Sequence, residues 1–312
     1  MARMQRRHFL QAAGGAAALA AATPAYSAAS AGEFSVVGYL PWYRIKSWPT
    51  ERAGVLTDLI YFGVQPTTGG ELPAHPIDRP TLEALRQLKR AIGCRLHLCV
   101  GGGDRSAGFA PLVEQGRRRR AFGRGLLELC QQGEFDGVDY DWEHPAGASQ
   151  LDNYRRLIDE TRDSLGELRR ITVAQSPWRD FGAGIYDAVD HVHVMSYNHK
   201  HPHARLTDAR ADIERMQKFG CPPEKLVLGV PFFGRNQRGR SRTYAEITRS
   251  AAFRSDVDQI EGFAFNSRQT LRQKTRYARN EKLGGIMIWE VGQDAPEPKQ
   301  SLLGAIAEEL HA

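Results

Sequence analysis

Alternating strand and helix patterns over most of the chain predict an α/β protein, a (β/α)8 TIM barrel with a small insertion between its seventh and eighth strands. Three observations carry that expectation. Short runs rich in β-branched and aromatic residues alternate with helical patterns from residue 35 onward, the mark of repeated strand–crossover–strand units and a parallel sheet. Eight such runs fall in about 280 residues without a linker-like stretch, which matches one barrel of ordinary size. No Gly-x-Gly-x-x-Gly follows the first run, so a doubly wound open sheet lacks its nucleotide-binding turn.

In chain order, strands are expected at 35–40, 58–64, 95–100, 137–142, 171–175, 191–196, 226–231 and 285–289. Helical stretches lie between and after them, at 80–91, 117–132, 151–168, 207–219, 268–280 and 301–310. The interval 234–284 is too long for a simple crossover and includes Tyr244, Phe263 and Phe265. It reads as a short insertion, 235–266, on the face where barrel loops form active sites.

The N-terminal segment has a different character. Arg6-Arg7 precede a small-residue apolar run from Ala12 to Ala22, with a candidate cleavage site at Ala29-Ser30-Ala31. That is the pattern of a twin-arginine signal peptide over 1–31, leaving 32–312 as the barrel. The run is too short to span a bilayer, and nothing later reaches the ~18 consecutive apolar residues a spanning helix requires. The expectation is a protein exported to the periplasm or beyond, monomeric, without stable membrane insertion once the signal is removed.

With 42 basic and 36 acidic residues the net charge is +6, falling to +3 once Arg3, Arg6 and Arg7 are removed. So mild a surplus, spread along the chain, does not point to nucleic acid. Arg117 to Arg120 read as a solvated helix face, and Arg235, Arg238, Arg240 and Arg242 as a basic loop bordering the barrel mouth. Cys94, Cys99, Cys130 and Cys221 lack the spacing of a zinc site or a disulfide framework and read as buried thiols.

Phe135-Asp136-Gly137-Val138-Asp139-Tyr140-Asp141-Trp142-Glu143 is the most informative stretch. Side chains of a strand alternate faces, so Gly137, Asp139, Asp141 and Glu143 share one face, each ~6.5 Å from the next. Val138, Tyr140 and Trp142 then pack under the helices. Three acids in file inside a barrel cannot all ionise cheaply, so at least one carboxyl should hold its proton above the ordinary range, as a general acid at neutral pH requires. Glu143, at the carboxyl end of the strand, is the natural donor. Asp141 lies one step deeper, within reach of Glu143 or a ligand, and Asp139 deeper still, where it can share a proton with Asp141. Ligands in file on one strand are poorly placed to surround an ion, and no metal or cofactor is expected. On the sixth strand His191, His193, Met195 and Tyr197 are expected on one face, with Tyr197 at the carboxyl end. His193 reads as a lumen residue able to bond the acids. His199, His201 and His203 lack nearby carboxylate or cysteine partners for a metal.

Asp136-Gly-Val-Asp139-Tyr-Asp141-Trp-Glu143 resembles the Asp-Gly-x-Asp-x-Asp-x-Glu signature of glycoside hydrolase family 18, the chitinases and their relatives. Val37-Gly38-Tyr39 looks like the family's first strand and Cys99-Val100-Gly101-Gly102 like its third-strand Ser-x-Gly-Gly element. Met195-Ser196-Tyr197 resembles the sixth-strand Met-x-Tyr, Leu228 to Gly234 the seventh strand, and Gly284-Gly285-Ile286-Met287-Ile288-Trp289 the eighth.

The resemblance implies hydrolysis with retention, in which the substrate's own 2-acetamido oxygen attacks the anomeric carbon. It casts Glu143 as acid and then base, Asp141 as the group that orients the acetamido N–H, Asp139 as its tuner, and Tyr197 as donor to the acetamido oxygen. Tyr39, Met195, Asn198 and Trp289 become the substrate-binding set, with Trp289 flooring the pocket. The implied ligand is a GlcNAc-containing oligo- or polysaccharide, cleaved at β-1,4 bonds as in chitin. An endo-acting enzyme on N-glycans or another GlcNAc-containing glycan, and a non-catalytic carbohydrate-binding barrel, are the alternatives. Three positions depart from the family pattern: Asn198 where aspartate commonly follows Met-x-Tyr, Cys99 where serine is usual, and Gly103 where many chitinases carry tryptophan.

Overall fold

The computed structural model describes residues 34–46, 48, 50 and 53–312. The expected signal peptide over 1–31 lies outside the described residues. Among those described, no helix is long and apolar enough to cross a membrane.

Eight parallel strands close into a barrel: β1 (Ser35–Pro41), β2 (Asp58–Val64), β3 (Arg95–Gly101), β4 (Gly137–Asp141), β5 (Arg170–Gln175), β6 (His191–Val194), β7 (Leu226–Pro231) and, after four short strands, β12 (Gly285–Trp289), which pairs with both β7 and β1. Helices α1 (Arg79–Ile92), α2 (Phe109–Glu114), α3 (Gly116–Gly133), α4 (Gly147–Leu165), α5 (Ala183–Ala188) and α6 (Leu206–Lys218) follow β2 to β6, and α8 (Arg268–Asn280) and α9 (Leu302–Leu310) flank β12 in sequence. The expected strands at 58–64, 226–231 and 285–289 match residue for residue. Two others end early: β4 stops at Asp141 and β6 at Val194. The short helices α2 and α5 have too few turns to show periodicity in the sequence.

Alternation along the strands separates two cores. One lies between sheet and helices and holds Leu40, Leu59, Leu98, Val138, Tyr140, Ile171, Val192, Leu228 and Ile286 with the apolar stripes of the helices. The other fills the lumen and contains Val37, Tyr39, Ile60, Phe62, Cys99, Val227 and Met287. Helix ends are set locally. Asp78 caps α1 by accepting from the Thr81 amide at 2.8 Å, Pro80 occupies the first turn, and Gly93 closes the helix in the left-handed region at φ 74°.

Between β7 and β12 the chain builds a separate four-stranded antiparallel sheet from β8 (Phe233–Asn236), β9 (Ser241–Thr243), β10 (Gln259–Ile260) and β11 (Phe263–Ala264), with the one-turn helix α7 (Tyr244–Ile247) between β9 and β10. Tyr244 and Phe265 are buried under it, 6.0 Å apart between ring centres. All four cysteines are buried free thiols, and burial pushes Cys94, Cys130 and Cys221 up to about 12.

Candidate active site

β4 presents Asp139 and Asp141 to the lumen, while Val138, Tyr140 and Trp142 pack outward. Trp142 stacks on Phe109 with ring centres 5.2 Å apart and planes at 10°, and lies edge-to-face on Tyr154. With the tryptophan pinned outside, the chain turns at the strand end and Glu143 reaches the mouth, half-buried, two residues past the end of β4. Glu143 is therefore not the last rung of the strand as the alternation predicts, but belongs to the loop that follows.

That loop is clamped from β3. The Gly102 amide donates to the Asp141 carbonyl at 2.7 Å, and the Glu143 amide donates to Ser106 Oγ at 3.0 Å. Gly101 and Gly102 have φ of 102° and 108°; a Cβ on the first would collide with the Asp141 carbonyl oxygen, and on the second with the Phe62 ring. The paired glycines are thus a requirement for letting β3 lie against the carboxylate strand.

Asp139 is fully buried and wholly engaged. Tyr39 Oη donates to Oδ2 at 2.7 Å, Thr172 Oγ1 donates to Oδ1 at 2.6 Å, and His193 Nδ1 lies 3.1 Å from Oδ1 and 3.0 Å from the Tyr39 hydroxyl. Burial alone would raise its pKa; the bonds from His193, Thr172 and Tyr39 win and hold the carboxyl below its ordinary value. Both oxygens bond to these side chains, so the expected proton-sharing with Asp141 is replaced by an ionised, hydrogen-bonded base to the stack.

Asp141 is the opposite case. It is 4% exposed, and its Oδ1 is buried with no hydrogen-bond partner. Burial, then Glu143, then Asp139 push its pKa well up. Glu143 is raised by burial and by Asp104. The two carboxyls form one coupled system that retains a proton above the ordinary carboxylate range.

The remaining predicted residues come from three other strands. β6 ends at Val194, and two tight turns follow in which the Ser196 and Tyr197 amides donate to the carbonyls two residues back, at 2.8 and 2.9 Å. The expected strand alternation therefore does not extend to Tyr197; the turns place it, with its ring edge-to-face on Phe233. Burial, followed by the charges of Asp141 and Glu143, raises its hydroxyl well above the usual tyrosine value. Asn198 takes φ 62° and accepts from Arg235 at 2.8 Å. Trp289 ends β12, its ring 5.6 Å from Tyr39 and 4.9 Å, edge-on, from Phe62.

Asp141, Glu143, Tyr39, Met195, Tyr197, Asn198 and Trp289 all line one cleft of about 310 Å³ at the carboxyl ends of the strands. Asp139 lies beneath it. Cys99 is buried in the lumen beside Asp139, and Gly103 borders the cleft with open space where a Cβ would stand. His199 pairs with Asp212 at 2.8 Å, and His203 bonds the Ala264 carbonyl. Sequence reasoning missed His144, Ser176 and Trp178, which line the same cleft, and Ser106, which anchors Glu143. Trp178, 51% exposed just past β5, is the one with a readable signal: a large apolar residue beyond a strand end, where nothing buries it.

Two carboxyls with raised pKa values line, with Tyr197 and Trp289, one cleft at the carboxyl face of a closed (β/α)8 barrel, the face where such barrels place binding and catalytic groups. The chain belongs to the glycosyl hydrolases family 18, whose model matches residues 37–294. Among curated relatives, Probable chitinase 2 of Drosophila melanogaster is 22% identical over 271 residues, covering 64% of this chain and 56% of that protein. The chain spans about half the length of the curated relatives it matches, 42% and 46% of two others. The solved family chitinase ChiB of Flavobacterium johnsoniae superimposes with a TM-score of 0.76 at 26% identity, over 89% of this chain and 94% of that one. A Cycas revoluta chitinase solved in complex with (GlcNAc)3 gives 0.74 at 23% identity, over 89% and 100%.

Proposed function

We propose that the protein hydrolyses β-1,4 bonds next to N-acetylglucosamine, in chitin or its oligomers, with retention and with the substrate's 2-acetamido group as nucleophile. The observation that carries this reading is the raised Asp141–Glu143 pair in one cleft with Tyr197 and Trp289. The Cycas revoluta chitinase with bound (GlcNAc)3 supports the ligand class.

In this mechanism Trp289 carries the apolar face of the reacting sugar. Asp141, which lines the cleft, accepts the acetamido N–H, and the Tyr197 hydroxyl donates to the acetamido oxygen. Glu143 gives its proton to the glycosidic oxygen while the acetamido oxygen bonds to the anomeric carbon and the C–O bond to the leaving sugar breaks. The Glu143 carboxylate then takes a proton from water, whose oxygen opens the cyclic intermediate at the anomeric carbon on the face the leaving group vacated. The anionic Asp139 keeps the second charge off Asp141, so the proton stays with the upper pair. The same reading takes 1–31 as an export segment and 32–312 as a monomeric catalytic barrel acting outside the cytoplasm, with 235–266 as a short insertion that borders a groove adjoining the cleft.

Glu143→Gln should lower turnover of a GlcNAc oligomer by roughly 10²–10⁴-fold with binding retained, because proton donation acts in the transition state. Comparable hydrolysis by the variant removes Glu143 from the mechanism. A thiazoline analogue of the cyclised intermediate should bind at least about 10²-fold tighter than the parent sugar; equal affinities contradict acetamido participation.

A further inference from the structure

Beyond Asn198 the mouth of the barrel changes sign. Two further clefts, of about 300 and 380 Å³, adjoin the site and share Asn198 with it; the larger also shares Trp289. The smaller is lined by Lys200, Arg235, His199, His201 and His203 and by no acidic residue. In the larger the acid is Glu246, whose carboxylate is taken up by the Thr243 amide and hydroxyl at 2.8 and 2.9 Å. Arg242 is neutralised by Glu261 at 2.7 Å and His199 by Asp212 at 2.8 Å. Burial pushes His203 down to about 4, so it adds no charge at neutral pH.

Arg235 has no such counterion. Its side-chain hydrogen bond is to the neutral Asn198 amide, 2.8 Å from Nη1, and among the described residues it forms no ion pair. Arg238 and Arg240 occupy the exposed turn that joins β8 to β9, and they and Lys200 also form no ion pair among the described residues. The half-buried Arg235 therefore stands at the junction of a catalytic pocket that holds carboxyls and a groove that holds uncompensated cations. Because the clefts share Trp289 and Asn198, a glycan extended past those two residues would enter that groove. A neutral chain gains nothing from the cations, whereas a carboxylate on the sugar next to the cleaved bond meets a planar two-pronged donor suited to it.

We infer that the groove beside Asn198 selects a GlcNAc-containing β-1,4 glycan whose neighbouring sugars carry carboxylate groups, with Arg235 as the specificity-determining contact. This rests on the proposed function in taking the shared cleft as the bond-cleaving site. The chemistry required is a sugar-borne carboxylate, and it has two sources: a lactyl ether at O3, or oxidation of C6 to the acid.

The test compares three soluble oligomers of equal length: neutral GlcNAc, GlcNAc with 3-O-lactyl groups on alternate residues, and GlcNAc oxidised at C6 on alternate residues, each acid also as its neutral methylamide. The wild-type protein should show kcat/KM at least about tenfold higher for one acidic oligomer than for its methylamide, and the preference should shrink with added salt. Which acid wins names the source. Arg235→Gln and Asn198→Asp, the latter placing a counterion against Arg235, should each abolish most of the acid-to-amide ratio, while Arg235→Lys keeps part of it. An acid-to-amide ratio near one in the wild type, or one untouched by Arg235→Gln, overturns the inference and leaves the proposed function standing if the neutral oligomer is cleaved. Should no oligomer be cleaved, the proposed function falls, and binding decides the inference: tighter, salt-sensitive and Arg235-dependent binding of an acidic oligomer supports it, and equal binding of acid and methylamide overturns it.

Discussion

The lumen holds buried carboxylates at both ends of the barrel, and the two ends treat them in opposite ways. At the amino end, Asp58 of β2 receives Arg95 at 2.6 and 2.7 Å, His97 at 2.8 Å and Arg170 at 3.5 Å. Burial would raise its pKa, but the bonds from Arg95 and His97 overcome that and hold the carboxyl well below its ordinary value. At the carboxyl end Asp141 is equally buried and has a partnerless oxygen, with a second acid above it. There burial and the neighbouring charges act in the same direction, and the pKa rises. Partners, not burial, decide the direction of the shift: those of the lower acid hold it toward its ionised form, while the upper one, lacking them, is pushed toward its protonated form.

The two acids therefore pull stability in opposite directions with pH. For Asp58 the folded pKa is depressed, so its contribution is present above the unfolded value near ~3.9 and is lost as pH falls through the folded one. For Asp141 the folded pKa is raised, so the fold loses stability as pH climbs from the unfolded value through the folded one. Asp58→Asn offers the largest test. It leaves Arg95 facing a neutral amide and should cost about 3–5 kcal/mol in urea unfolding at pH 7, while kcat of the protein still folded stays within about twofold. A loss of under 1 kcal/mol would show that the lower cluster is not the ionic plug described.

Asp141→Asn comes next and should invert the pattern, lowering kcat roughly 10²-fold while raising stability at pH 7 by about 0.5–2 kcal/mol. The gain should disappear below about pH 4, where the wild-type carboxyl is protonated in both states. A variant less stable than wild type at pH 7 would mean that Asp141 is ionised and paired. Tyr39→Phe probes the boundary between the regions. Removing the hydroxyl that donates to Asp139 should cost about 1.5–3 kcal/mol and move Asp139 toward Asp141 in behaviour, shifting the alkaline limb of the kcat profile upward. An unshifted limb would detach Asp139 from the upper pair.

The upper region was largely legible because its chemistry is concentrated on one strand. Period-two spacing in Gly137 to Asp141 shows which acids share a face, and a face of acids beside apolar neighbours implies a perturbed proton. Asp58 carried no such signal, since beyond the adjacent Thr57 its partners, the two guanidinium groups and the imidazole, lie 37, 39 and 112 residues away on β3 and β5 and meet it only when the barrel closes. The misread strand ends have the same origin. Alternation continues in the sequence past Asp141 and Val194, but Trp142 is captured by Phe109 and Tyr154, and the turns after Val194 redirect Tyr197. Trp178 and Ser106 sit in loops, where side-chain direction has no period to read.

Local pattern alone determined the eight-stranded barrel, the outward and inward faces of its strands, and the presence of an acid file aimed at the carboxyl end, because those follow from backbone geometry and hydrophobic spacing within single segments. The charge of each acid, the clamp that seats Glu143, and the unneutralised Arg235 beside Asn198 were decided only by tertiary structure. Each depends on which groups from distant strands come within hydrogen-bonding reach, and electrostatic energy in a buried site is set by those neighbours and by the exclusion of water.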